Sequence, residues 1–377
     1  MQLVAKIHLQ LSNEEKETLK KTLQAANAAC NYISEYAFNN KVFNRFELQK
    51  VLYQYLKEEF GLPSQLIIKC IQKVAKSYIN DKSKLNKFYD LGSVNYDNRI
   101  LSWKENSISI TTIDGRLKEV PFVCYRRGME LLKYRANEHQ LSFRNNEFYI
   151  HAACDVPEEP LALPKGFLGV DLGIVNLATT SDGKKYSGEL IDKNRVRYSK
   201  LRSALQKRGT RSAKRKLKKV SKKQSSFVKD TNHCISKEIV RKAKALDFGI
   251  ALEELHKIKT PVSKTQKERH EKWSFYQLRN FILYKAKLSG IQTVLVNPRN
   301  TSRTCSKCGF VDEKNRKSQS EFKCLSCGYE LNADFNASIN ISRKAEMIEA
   351  RVPVNEPIVA FANSEESEFA TVTSPHL

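Results

Sequence analysis

No run of 18 or more apolar residues occurs in the 377-residue sequence, which argues against a membrane-spanning helix. The opening MQLVAKIHLQLSNEEK also lacks the apolar core of a secretory signal, so a soluble, cytoplasmic protein is expected. Acidic residues are the other shortage: 41 Asp and Glu face 65 Lys and Arg, leaving a formal charge of +24. A surplus that large favours polyanionic partners, because binding releases condensed counterions. Nucleic acid is the expected partner, and no membrane partner is expected. The nine cysteines form an odd total, which argues against a complete disulfide framework. Five of them, Cys30, Cys70, Cys124, Cys154 and Cys234, are scattered singly, as suits a reducing compartment. The length exceeds the usual size of one compact domain, so two or more structural units are expected.

The residue pattern supports such a division. Residues 2–10 alternate as a short strand, and Ser12 with Glu15 makes a capping box that opens a helix through about Phe38. The segment FELQKVLYQYLKEEF stops at Gly61, and Pro63-Ser64 restarts a helical pattern to about Ile79, so residues 12–85 read as a helical bundle. From about residue 98 the periodicity changes to two. SISITTIDGRLKEVPFVCY predicts a hairpin around Asp114-Gly115, and a second hairpin is predicted at Asn145-Asn146. Pro157, Pro160 and Pro164 mark a boundary. Beyond it FLGVDLGIVNLATTSDGK predicts two apolar strands, FGIALEEL and IQTVLV two more, with a helix over about 267–289. Past Ala350 the weak periodicity predicts a disordered tail.

One segment lacks acids altogether. Residues 193–229 hold sixteen Lys or Arg and no Asp or Glu, in a helix-permissive sequence interrupted by Gly209. A solvated helical face is the bland reading. Sixteen like charges repel one another unless a polyanion is near, so Arg211, Lys214, Arg215, Lys216, Lys218, Lys219, Lys222 and Lys223 are the expected nucleic-acid contacts. Trp273 and Phe275 could stack on bases, although core packing is the simpler reading.

Cys305-Ser-Lys-Cys308 and Cys324-Leu-Ser-Cys327 are the most specific motif, two CxxC pairs each followed by glycine. Four thiolates close a tetrahedral zinc site and leave no open position, so this zinc is expected to be structural. Two disulfides are the alternative. Three acids form a looser constellation. Asp171 interrupts the apolar strand GVDLG, Glu253 stands near the end of another apolar strand, and Asp334 opens a helix in NADFNASINI. Each has a plain alternative: Asp171 could pair with a lysine, Glu253 could be a solvated strand end with Glu254 equally available, and Asp334 could balance a helix dipole. Together, oxygen ligands without histidine or thiolate favour magnesium or manganese, which suits phosphodiester hydrolysis.

The order GVDLG, IALEEL, TSRTCSKCG with a second CxxC, and ADFNASINI resembles the TnpB proteins of bacterial insertion sequences, and also miniature type V CRISPR effectors. The match covers about residues 166–342, with smaller pieces at NHCIS (232–236) and WSFYQLRNFILYKA from Trp273. The resemblance implies an α+β, multidomain protein: an RNase H-like RuvC domain at 161–300 and 331–350 with a zinc ribbon inserted at 301–330. It implies a β-barrel wedge domain at 1–11 and 94–160 carrying a helical recognition insert at 12–93, followed by the tail at 351–377. It further implies that Asp171, Glu253 and Asp334 hold the catalytic Mg2+ or Mn2+, beside a structural Zn2+. The implied activity is RNA-guided DNA cleavage next to a short adjacent motif, with a guide RNA made from the transposon end and double-stranded DNA as target. A monomer in the bacterial cytoplasm, associated with the nucleoid, is expected. A guided DNA-binding regulator without cleavage and a strand-transferring transposase stay open as alternatives.

Overall fold

The computed structural model describes residues 1–254 and 275–350, which fall into two compact units meeting at Pro157 and Glu158. The expected tail at 351–377, residues 267–274 of the expected helix, and Trp273 lie outside the described residues.

The first unit begins with β1 (Gln2–Leu9), whose buried Ala5, Ile7 and Leu9 alternate with more exposed neighbours. Ser12 and Glu15 then cap α1 (Asn13–Asn40) reciprocally: the Ser12 side chain accepts from the Glu15 N–H, and Glu15 accepts from the Ser12 N–H. Next come α2 (Arg45–Phe60), ended by Gly61 at φ 60°, and α3 (Ser64–Ser77). Short strands β2 (Val94–Asp97) and β3 (Leu101–Trp103) lead into β4 (Ser107–Thr112) and β5 (Gly115–Val123). Then follow α4 (Arg126–Leu132), β6 (Arg135–Arg144) and β7 (Glu147–Asp155).

These strands form one antiparallel sheet in the order β2-β6-β7-β1-β5-β4-β3. Its two end strands are joined by residues 98–100 alone, and Thr111 N–H donates to Ile100 O at 2.9 Å while Tyr96 Oη donates to Thr111 O at 3.1 Å. The sheet therefore nearly closes into a barrel. The inward row of β7 (Phe148, Ile150, Ala152, Cys154) and the apolar stripe of α1 (Leu19, Leu23, Ala26, Cys30, Ile33) belong to one continuous core.

Two local expectations need correction here. The first hairpin turns one residue earlier than Asp114-Gly115: Thr112 pairs with Gly115, so Ile113 and Asp114 form the loop, and Gly115 opens β5 at φ 114°. Helix α4 also interrupts the stretch from about residue 98 to 154, where strands were expected to dominate. The Asn145-Asn146 turn is as expected, with φ 54° and 65°, both in the left-handed region a tight hairpin demands.

The second unit contains β8 (Phe167–Asp171), β9 (Asn176–Thr180), β10 (Lys185–Ser187), α5 (Glu189–Arg208), α6 (Arg211–Ala245), β11 (Gly249–Glu253), α7 (Phe275–Leu288) and β12 (Thr293–Val296). A short 3-10 turn (Glu313–Asn315), the ribbon strands β13 (Glu321–Lys323) and β14 (Glu330–Asn332), and α8 (Ala333–Glu349) follow. The five-stranded sheet runs β10-β9-β8-β11-β12, antiparallel on the β10 side of β8 and parallel on the other. Strand β10 escaped the sequence reading because it has three residues.

Alternation along the central strands decides which face each residue serves. Leu168 and Val170 of β8, with Ile250 and Leu252 of β11, pack against Ile235 and Ile239 of α6 and Leu278 and Ile282 of α7. The intervening residues face α8, where Phe167, Ala251, Val296, Ile341 and Ala345 form a second core layer. Gly209, at φ 61°, separates α5 from α6, and Thr210 caps the second helix by accepting from Ala213 N–H. Among the described residues no helix is long and apolar enough to cross a membrane.

Candidate nuclease centre and zinc ribbon

Strand parity and register place the first two acids together. Gly169 pairs with Ala251 and Val170 with Leu252 in parallel, so Asp171 and Glu253 end neighbouring strands on the face that α8 covers. Asp334 is the second residue of α8, whose N-cap Asn332 accepts from Phe335 N–H. Gly169 allows this helix to lie directly on β8: a Cβ at that position would meet Ser338 O at 2.0 Å and Ser342 N at 2.6 Å. The helix is also bonded to the strand by Ser342 Oγ, which donates to Phe167 O at 2.6 Å.

The electrostatics follow from this crowding. Burial, then the charges of Glu253 and Asp334, push the Asp171 carboxyl up to about 8, against the opposing pull of Arg316. Burial likewise raises Glu253, although Thr301, Lys344 and Arg316 favour its charged form. Thr301 Oγ1 donates to Glu253 Oε1 at 2.5 Å, Asn176 Nδ2 donates to Asp334 Oδ2 at 3.0 Å, and the Arg316 guanidinium stands 3.5 Å from Asp334 Oδ1. The three acids repel one another without being drawn as tightly as the thiol cluster below, which alone among the described residues brings its ligand atoms within 4.8 Å. Partly compensated, all-oxygen and half-buried, the donor set fits a hard divalent cation such as magnesium or manganese.

Cys305, Cys308, Cys324 and Cys327 all carry free thiols, with Sγ separations of 3.7 Å for Cys305–Cys327 and 3.5 Å for Cys308–Cys324. Those separations exclude disulfide bonds. They match the tetrahedral edge of about 3.8 Å that zinc–sulfur bonds of about 2.3 Å require. Gly309 and Gly328, at φ 79° and 68°, turn each knuckle back so that their N–H groups reach Cys305 O and Cys324 O. The cluster fits a structural zinc. Asn336 and Asn340 of α8 hold the first knuckle, bonding Ser306 N–H, Thr304 O and Thr301 O.

Arg211, Lys214, Arg215, Lys216, Lys218, Lys219, Lys222 and Lys223 are all exposed on α6. Their outward direction is set by a small core between α5 and α6, where Leu205, Ala213 and Val220 pack with Tyr198, Leu201 and Leu217. Phe275 is half-buried and packs against the core between the sheet and its helices, in line with its bland reading. Sequence reasoning missed Arg316, Asn176, Thr301 and Gly169. Thr301 and Gly169 at least lie inside the motifs TSRTC and GVDLG; nothing marks Arg316 among the other basic residues of the ribbon.

Two family models match the chain: "Probable transposase" over residues 151–269 and "Cas12f1-like, TNB domain" over residues 275–341. The chain is similar to TnpB-like and Cas12f1 proteins. A TnpB-like protein of Methanocaldococcus jannaschii is 28% identical over 51% of this chain and 74% of its own length. The CRISPR-associated endodeoxyribonuclease Cas12f1 of Sulfoacidibacillus thermotolerans is 32% identical over 53% of this chain and 50% of its own. InsQ of Escherichia coli is 24% identical over 76% of this chain and 75% of its own. The chain spans about half the length of this Cas12f1 relative. A cryo-EM structure of a Cas12f1–sgRNA–target DNA complex shares its α+β fold, with a TM-score of 0.62 at 17% identity, over 88% of this chain and 83% of that one.

Proposed function

We propose that this chain is a TnpB-like, RNA-guided DNA endonuclease of transposon origin, cutting duplex DNA beside a short adjacent motif. The observation that carries the proposal is the meeting of Asp171 and Glu253 at the ends of parallel strands beneath Asp334 of α8. On this reading the mixed sheet with its helices is the RuvC-like nuclease domain, interrupted by the ribbon. The near-closed sheet of the first unit is the wedge, and its helices α1 to α3 are the recognition insert.

The three acids would hold magnesium or manganese through oxygen alone. Bound there, such ions would supply activation of the attacking water and stabilisation of the leaving 3′ oxygen. Thr301 orients Glu253, Asn176 orients Asp334, and Arg316, close to both acids, supplies a fixed cation for the scissile phosphate. The exposed α6 lysines and arginines hold backbone phosphates while guide pairing reads the sequence. The Cas12f1 structure that shares the fold is a complex with sgRNA and target DNA, which supports those partners here.

Two measurements test the proposal. RNA co-purifying with the expressed chain should be one structured species with a variable end. The ribonucleoprotein should then linearise a plasmid matching that end when magnesium is present. Random host RNA, or binding without nicking, would refute guided cleavage in favour of random association or regulation respectively. The description of the first family model as a transposase gives strand transfer a claim of its own. Incubation with element ends should yield no joined product.

A further inference from the structure

Helix α8 carries Asp334 in its first turn and, further along, grips the chain that runs from the end of β12 into the ribbon. Asn336, Asn340, Arg343 and Lys344 share one face of the helix, as their spacing dictates. The two asparagines hold the first knuckle, and Arg343 adds a bond to Ser306 O. Lys344 instead reaches the loop just after β12. Its half-buried ammonium donates to Asn297 O at 3.0 Å and to Arg299 O at 2.6 Å.

That loop ends on an acid of the site. Asn300, at φ 63°, turns the chain between Arg299 and Thr301, in a conformation that asparagine tolerates. Thr301 has one hydroxyl proton and two acceptors within reach, Glu253 Oε1 at 2.5 Å and Pro298 O at 2.9 Å. Which of them takes the proton depends on how the loop is held, and the carbonyls on either side of Pro298 are the two that Lys344 binds. Burial lowers Lys344, and Glu253 opposes this by favouring the ammonium, so the two side chains lie within reach of each other's field.

We infer that Lys344 is a positioning residue for metal binding: it clamps the 297–301 loop to α8 and thereby keeps the Thr301 hydroxyl on Glu253. The inference rests on the reading of Asp171, Glu253 and Asp334 as the metal-holding acids. One helix then carries one ligand, Asp334, and through Lys344 fixes the loop that orients a second, Glu253. Without the ammonium two carbonyls lose their donor and the loop relaxes. Thr301 can then turn its proton to Pro298 O, which frees the Glu253 carboxylate to rotate. Loss of an outer-shell partner of this kind costs about ten- to a hundredfold in metal affinity.

The test is equilibrium binding of Mn2+ to the full-length, zinc-loaded chain, read by electron paramagnetic resonance without nucleic acid, which would bind manganese itself. Asp171→Ala defines the binding that belongs to the acids. Lys344→Met keeps the aliphatic stem and should weaken that binding about tenfold, with zinc content and thermal midpoint as in the wild type. Lys344→Gln, too short to span both carbonyls, should behave alike and carries the test if the methionine variant loses zinc. Lys344→Arg can still donate to two carbonyls and should restore affinity to within about threefold of wild type. In a Thr301→Val background Lys344→Met should change affinity less than about twofold, because the link is already cut. A full tenfold loss in that background, or wild-type binding by both Lys344→Met and Lys344→Gln while Asp171→Ala binds none, would overturn the role of Lys344 and leave the acid site standing. Manganese binding that survives Asp171→Ala would sink the acid site, and this inference with it.

Discussion

Replacing Gly169 with alanine puts a methyl group 2.0 Å from Ser338 O and 2.6 Å from Ser342 N, both backbone atoms of α8. No side-chain rotation relieves such a contact. Opening it from 2.0 to an ordinary 3.4 Å moves the helix off β8 by about 1.4 Å. Overpacking of this kind costs roughly 1–3 kcal/mol. Asp334 stands one helical turn before Ser338, so the same displacement carries it away from Asp171 and Glu253. Misplacement by about 1 Å costs on the order of 10²-fold in rate. The expected outcome for Gly169→Ala is a folded protein, destabilised by about 2 kcal/mol in chemical denaturation. It should retain its zinc and cut guided plasmid about 10²-fold more slowly. Wild-type stability and cutting in this variant would refute the seating of α8 on β8 as the device that assembles the site.

Arg316→Ala should slow cutting by about 10² while leaving target binding intact, as loss of one preorganised cation does; plasmid cleavage and gel shift check it. Cys324→Ser should abolish stoichiometric zinc by elemental analysis, unfold the ribbon and stop cutting, because the ribbon segment carries both Thr301 and Arg316. Thr301→Val should raise the magnesium or manganese concentration needed for half-maximal binding in calorimetry without substrate, and Thr301→Ser should restore it. Burial, then the charge of Arg135, lowers His139 from 6.5 to about 4 in the folded state. Between those values the unfolded chain binds the proton and the folded one does not, so stability falls as pH drops from 6.5 towards 4. The loss is at most about 3 kcal/mol across the window. Denaturation of the wild type and of His139→Gln at several pH values should show the slope disappear in the variant.

Local chemistry made much of the fold legible. The Ser12–Glu15 capping box, the Gly61 and Gly209 helix ends, and the Asn145-Asn146 turn depend only on residues within a few positions of one another. The CxxC knuckles were legible for the same reason. The Asp114-Gly115 signal misled by one residue because its glycine serves as the first strand position and not within the two-residue loop. What the sequence could not show is pairing at long range. That β8 lies beside β11 in a register joining Asp171 to Glu253 depends on burying Leu168, Val170, Ile250 and Leu252 against α6 and α7. Arg316 was equally hidden, since only the folding of the ribbon against α8 brings it to Asp334.

Single-turnover cleavage of a guide-matched plasmid, with wild type and Asp171→Ala side by side in magnesium, bears most directly on the acid site. The account predicts complete cutting by the wild type, and for the variant none above background with undiminished binding of guide and target. Equal cutting by the two proteins would contradict it.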